Sequence, residues 1–145
     1  MIKTVTFCGH SNLSYEEEKA LFPLICTEAE KLIKNGADTF LCGGYGSFDR
    51  LCATAVKELK GKYPHTTSIL VIPYINRTYD ENLYDFSEYP PLEKVPPRFA
   101  ISKRNEYMVQ KSDAVIAYVK YSFGGASTTL SYAKRKKKEI ILLSS

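Results

Sequence analysis

The chain has 145 residues, 44% of them hydrophobic and 25% charged, with 20 basic against 16 acidic side chains and a net charge of +4. This size and composition fit one folded domain, residues 1–145, that needs no staples, and they exclude a disordered chain. The positive balance is local, because the run Lys134-Arg135-Lys136-Lys137-Lys138 outweighs the whole excess and has no interleaved aromatic residue, so nucleic acid is not expected as a partner.

Apolar stretches rich in β-branched residues recur at Thr4–Cys8, Thr39–Cys42, Ser68–Pro73, Ala114–Val119 and Ile140–Leu143, with helical periodicity between them. The alternation predicts an α/β fold, a parallel sheet of about five strands covered on both faces. A first helix is predicted from Ser14, where Ser14-Tyr15-Glu16-Glu17 has capping-box spacing, to Gly36, with Leu21, Leu24, Ile25, Ala29, Leu32 and Ile33 on one stripe. A second runs from about Ser47 to Leu59, inner face Phe48, Leu51, Cys52, Ala55, Val56 and Leu59, with Gly61 as its stop.

Residues 74–98 contain Pro90, Pro91, Pro96 and Pro97 and predict a long irregular loop. Tyr74, Tyr79, Tyr84 and Tyr89 recur there every five residues, either packing the loop onto the body or forming a lid or aromatic wall over a ligand. Helices follow over about Ala100–Lys111 and Ser127–Lys137. No stretch approaches the ~18 apolar residues of a membrane span, and Met1–His10 lacks the features of a secretory signal, so a cytoplasmic protein without a membrane partner is expected. Cys8, Cys26, Cys42 and Cys52 sit in apolar segments without a Cys-x-x-Cys pair and read as buried thiols, with no metal or cofactor expected.

Ligands of open parallel sheets bind beyond the carboxyl ends of the strands. Three unusual loops occupy such ends: Cys8-Gly9-His10-Ser11, Gly43-Gly44-Tyr45-Gly46-Ser47-Phe48-Asp49 and Phe123-Gly124-Gly125-Ala126-Ser127-Thr128-Thr129. The last two place a glycine pair before a helix that opens with hydroxyl residues, an arrangement that suits phosphate, with Ser47, Ser127 and Thr128 as added donors. The same residues equally serve a tight turn and a helix cap. Neither loop is a Walker A or a Gly-x-Gly-x-x-Gly fingerprint. Asp49 either complements the helix dipole or faces the pocket as an acid/base or a ribose acceptor. Arg104, on one face with Ile101, Asn105 and Met108, must find an acceptor: a carboxylate, a helix end or a ligand phosphate. His10 is an acid/base, a donor to a bound sugar or a structural hydrogen bonder.

Phe7-Cys8-Gly9-His10, the stretch Gly43 to Ala53, the strand Ile69–Tyr74, Arg104-Asn105-Glu106-Tyr107-Met108-Val109 with Ser112-Asp113, and Gly124-Gly125 before Tyr132-Ala133-Lys134 together resemble the YpsA-like branch of the SLOG superfamily. The resemblance spans nearly the whole chain in order. It implies a Rossmann-like three-layer sandwich, a homo-oligomer formed through outer helix faces, and a pocket for a nucleotide-derived small molecule, ADP-ribose-like or a nucleoside phosphate. Carried over, the pocket takes Gly9, His10, Gly43, Gly44, Gly46, Asp49, Arg104, Asn105, Gly124 and Gly125, with Ser11, Tyr45, Ser47, Ser127 and Thr128 completing the same loops.

The superfamily also includes enzymes similar to the cytokinin-activating phosphoribohydrolases, which carry a Gly-Gly-x-Gly-Thr-x-x-Glu loop. Laid on Gly124-Gly125, that pattern puts Ser131 at the catalytic glutamate; laid on Gly43-Gly44, it puts Arg50 there, with Asp49 one position early. Ser11 stands where relatives often have arginine. The expectation is therefore a sensor or sequestering module, with an N-glycosidase acting on a nucleoside monophosphate through Asp49 as the alternative.

Overall fold

Strand and helix alternate in the computed structural model, which describes residues 1–75, 80 and 82–144. The order is β1 (Thr4–Gly9), α1 (Tyr15–Lys34), β2 (Thr39–Cys42), α2 (Gly46–Lys60), β3 (Thr67–Val71), β4 (Phe86–Glu88), a single 3-10 turn (Pro97–Phe99), α3 (Ala100–Lys111), β5 (Ala114–Tyr118), α4 (Gly125–Arg135) and β6 (Glu139–Leu142). Every pairing is parallel and the sheet reads β4-β3-β2-β1-β5-β6. This is the Rossmann-like α/β architecture that the sequence predicts.

Alternation along the strands explains their unbroken hydrophobicity. Val5, Phe7, Phe40, Cys42, Ile116 and Tyr118 pack with α1 and α2 on one face, while Cys8, Val115 and Ala117 pack with Val109, Leu130 and Ala133 of α3 and α4 on the other. Both faces are covered, so a polar side chain buried there bonds within the protein, as the Thr6 hydroxyl does to the Leu41 carbonyl at 2.9 Å. The capping box at the start of α1 forms as its spacing predicts: the Glu17 N–H donates to Ser14 Oγ at 3.1 Å and the Ser14 N–H to Glu17 Oε1 at 3.0 Å.

The segment predicted as irregular holds a sixth strand. β4 pairs with β3 through Ile69↔Phe86 and Val71↔Glu88. Its register is pinned by Asp85, which accepts the Ser68 N–H at 2.8 Å and meets Lys60 Nζ at 2.9 Å. An apolar pattern cannot signal a strand held by a carboxylate. Tyr74 donates to the Pro97 carbonyl at 3.0 Å and Tyr84 packs half-buried against the α1/α2 core, whereas Tyr79 lies outside the described residues. Helix α4 starts at Gly125, two residues before the predicted Ser127, and no helix among the described residues is long and apolar enough to cross a membrane.

The chain lays β2, β3 and β4 successively to one side of β1, then returns to place β5 and β6 on the other. Strand order reverses between β1 and β5, and the loops that leave their carboxyl ends diverge to open a crevice.

Candidate functional site

That crevice is a cleft of about 530 Å³, within the range of small-molecule sites. One wall is the loop after β1, Gly9 to Asn12; the other is the loop after β5, with Tyr121, Phe123, Gly124, Gly125, Ala126 and Thr129. Phe7 and Cys8 of β1, Tyr45 and Asp49 from the start of α2, and Ile101, Arg104, Asn105 and Met108 from α3 complete the lining.

Arg104 is 2% exposed and acts as a brace. Its Nη1 donates to the carbonyls of Gly43 at 2.6 Å and Val71 at 2.9 Å, and its Nε to Asn105 Oδ1 at 2.9 Å. The acceptor demanded by a guanidinium on an apolar helix face is thus largely backbone at the ends of β2 and β3. Asp49 sits beside it and accepts the Tyr45 N–H at 3.2 Å. Burial raises the Asp49 carboxyl from 3.8 to about 6, with the Arg104 charge and the Tyr45 N–H pulling the other way.

The loop Gly43–Ser47 spends its polar groups on the protein. Ser47 donates its N–H to the Ser11 carbonyl at 2.9 Å, its hydroxyl donates to the same carbonyl at 3.1 Å, and the Leu13 N–H donates to that hydroxyl at 3.3 Å. Gly46 is required here, since its φ is +90° and a Cβ would lie 2.5 Å from Ser11 Cα. Consequently Gly43, Gly44, Gly46 and Ser47 are not brought to the cleft; Gly44, Gly46 and Ser47 line a separate polar groove with Arg50 and Tyr84.

The glycine pair before α4 is different. Gly124 has φ +95°, and a Cβ built on either Gly124 or Gly125 meets nothing within 4 Å. Packing does not explain Gly125, which lines the cleft at the first turn of α4, where the first N–H groups of a helix have no intrahelical acceptor. Thr128 turns its hydroxyl back to the Gly124 carbonyl at 3.0 Å, as Thr129 does to Gly125, and neither Ser127 nor Thr128 lines the cleft. Cys8 donates to the Ala126 carbonyl at 3.1 Å, and burial pushes its thiol up to about 12, which leaves it inert.

His10 Nε2 accepts the Lys120 N–H at 2.9 Å, so its ring proton resides on Nδ1. Burial and the nearby Lys120 charge hold this histidine below its ordinary pKa, against the pull of Glu17. Lys120 Nζ and the Tyr118 hydroxyl both bond to Glu17 Oε2 at 2.6 Å. These two bonds, with that from the Ser14 N–H, bring the Glu17 carboxyl down to about 2.

The cleft therefore gathers Gly9, His10, Ser11, Tyr45, Asp49, Arg104, Asn105, Gly124 and Gly125 from the candidate set. Asn12 and Tyr121 join the cleft from outside the loops singled out in the sequence, and Phe123 and Thr129 from within the third loop though not among the candidate site residues. Tyr121 and Phe123 left a legible signal, two aromatic residues in a strand-end loop just before a glycine pair.

No protein-family model matches the chain. It is 27% identical, over a 134-residue alignment covering 77% of this chain and 78% of the other, to the uncharacterized SPbeta prophage-derived protein YoqJ of Bacillus subtilis (strain 168). Among solved structures it is similar to DNA processing protein A (DprA) of Streptococcus pneumoniae, with TM-score 0.72, 18% identity, and coverage of 99% of this chain and 51% of that one. DprA of Helicobacter pylori, described for its single-stranded DNA binding mode, gives TM-score 0.67, 19% identity, and coverage of 99% and 66%. The Moco carrier protein of Chlamydomonas rheinhardtii gives TM-score 0.61, 15% identity, and coverage of 98% and 76%. The chain spans about half of the first of these structures and about two thirds of the second. At these identities the likeness is one of fold. The expectation, drawn from the charge distribution, that nucleic acid is not a partner is overturned by the comparison, since DprA of Helicobacter pylori, described for single-stranded DNA binding, shares this fold. The lysine run at the end of α4 is one feature of the surface and does not by itself decide the partner of the chain.

Proposed function

We propose that the chain binds a nucleotide-derived small molecule in the cleft between the loops after β1 and β5. The observation that carries this reading is Gly125, a glycine at the first turn of α4 whose missing side chain is demanded by no neighbour and leaves the helix terminus open to the cleft. A phosphate seated there would meet backbone N–H groups and the positive end of the helix dipole. The motif order of the sequence supports the YpsA-like branch of the superfamily, and the Moco carrier protein gives a precedent for a small molecule on this fold.

Gly125→Ala tests the reading directly. The added methyl enters empty space, so the melting temperature should hold or rise slightly. Calorimetric affinity for nucleoside monophosphates or ADP-ribose should fall at least tenfold. Absence of saturable binding by the wild type, or an unchanged affinity in the variant, would sink it.

Two observations favour further readings. Tyr45, Tyr121 and Phe123 are 62%, 49% and 72% exposed beside the cleft, a supply of stacking surfaces that suits single-stranded nucleic acid, the class of ligand named for Helicobacter pylori DprA. Such binding would weaken with salt at a log–log slope of about −0.7 per neutralised phosphate. Asp49, with its carboxyl near 6, also suits an acid/base at a glycosidic bond. Base release from a nucleoside monophosphate should then vanish in Asp49→Asn while binding persists.

A further inference from the structure

The loop after β5 carries two large aromatic side chains on the molecular surface, and no core packing accounts for them. Phe123 is 72% exposed and Tyr121 49%. They are nonetheless ordered against each other, stacked with ring centroids 5.4 Å apart and planes 24° apart. Inward of the pair, the His10 ring meets Tyr121 at a tilt, with centroids 4.9 Å and planes 51° apart, and Lys120 Nζ stands 5.4 Å from the Tyr121 centroid. Tyr121 is thus hemmed by His10, Lys120 and Phe123, while Phe123 ends the stack with most of its surface in solvent at the cleft.

This order is built in from outside the loop. His10 is anchored by the Lys120 N–H, and Lys120 by Glu17 of α1. A row of rings fixed in this way offers a flat apolar face at little further entropic cost. Its position limits what it can take. Phe123 and Gly125 are two residues apart, so their Cα atoms lie within about 7 Å. An aromatic ring on Phe123 and a phosphate at the start of α4 can therefore belong to one nucleotide, joined through a single sugar.

We infer that Phe123, backed by Tyr121 and His10, is the nucleobase platform of the cleft. The inference rests on the reading of the cleft as a nucleotide site and adds that recognition includes the base, not the sugar phosphate alone. The base comes either from a free nucleotide or from a single strand, and stacking is the chemistry that the two share.

The test compares adenosine 5′-monophosphate, ribose 5-phosphate and a short oligodeoxyadenylate on the wild type, Phe123→Ala, Phe123→Leu and Phe123→Tyr. Affinity is read by calorimetry and the base protons by NMR. Because Phe123 is so exposed, melting temperatures should match the wild type. Loss of base stacking should lower affinity for the base-bearing probes about tenfold or more in Phe123→Ala. Phe123→Tyr should restore affinity, and ribose 5-phosphate should be indifferent to all three changes. Upfield shifts of the base protons should appear with the wild type and disappear in Phe123→Leu, which keeps apolar bulk without a ring. Equal loss for the base-bearing and base-free probes, no loss for either, or no ring-dependent shift would overturn the platform while leaving the cleft reading intact. Failure of every probe to bind the wild type would remove both. Binding of the oligonucleotide alone, with the same losses, would identify the source as a strand and uphold the platform.

Discussion

Asp49 holds a proton in the folded chain over a pH range where a free aspartate would have lost it. Its carboxyl titrates at about 6 against an ordinary 3.8, because burial outweighs the pull of Arg104. Between those values the native state binds more protons than the unfolded one, so the stability associated with this group is complete below about pH 4 and is lost as pH rises through 6. Asp49→Asn removes that dependence. The variant should gain on the wild type by of order 3 kcal/mol between pH 4 and pH 7, measured by urea denaturation at both. A stability difference independent of pH would show that the carboxylate is not desolvated. The sequence left Asp49 between a dipole role and a pocket role, and the structure gives it a place in the cleft with a hydrogen bond to its own loop. No spacing rule conveys this, because the desolvation comes from residues distant along the chain.

Arg104 illustrates how far element-level reasoning reaches. Its place on an apolar helix face is legible from the i, i+3, i+4 pattern, and so is its need for an acceptor. The identity of that acceptor depends on where α3 docks across β2 and β3, which no local pattern encodes. Since Arg104 ties α3 to the carbonyls of Gly43 and Val71, Arg104→Met should keep the helix face filled but strand both carbonyls. A loss of about 2–5 kcal/mol in denaturant unfolding is expected. A change below 0.5 kcal/mol would mean that solvent replaces the bonds. β4 escaped the sequence for a related reason. A three-residue edge strand carries too little alternation to be recognised, and an ion pair with α2 sets its register. Among the described residues, β1, β2, β3 and β5 were legible from their largely buried apolar runs, α1 from its capping box and Gly36, and α2 from its apolar face and Gly61.

For the molecule as a whole, positive charge is concentrated at the end of α4 that lies away from Gly124 and Gly125. The eleven residues of α4, at about 1.5 Å each, put its basic end roughly 16 Å from its glycine start, beyond the Debye length of about 10 Å at 0.1 M salt. Changing Lys134, Lys136 and Lys137 together to Gln should therefore leave the affinity of a cleft-bound mononucleotide within about twofold, measured by calorimetry at 0.1 M salt. A tenfold loss would show that the ligand reaches the far end of α4. Glu17 links regions of the molecule that lie far apart in sequence. One of its oxygens closes the first turn of α1, and the other holds Tyr118 and Lys120. The opening of α1 and the bracing of the aromatic loop thus draw on a single carboxylate. Fraying at the helix start would slacken the cleft wall 100 residues later, and a ligand that tightens that wall would in return slow hydrogen exchange in the first turn of α1.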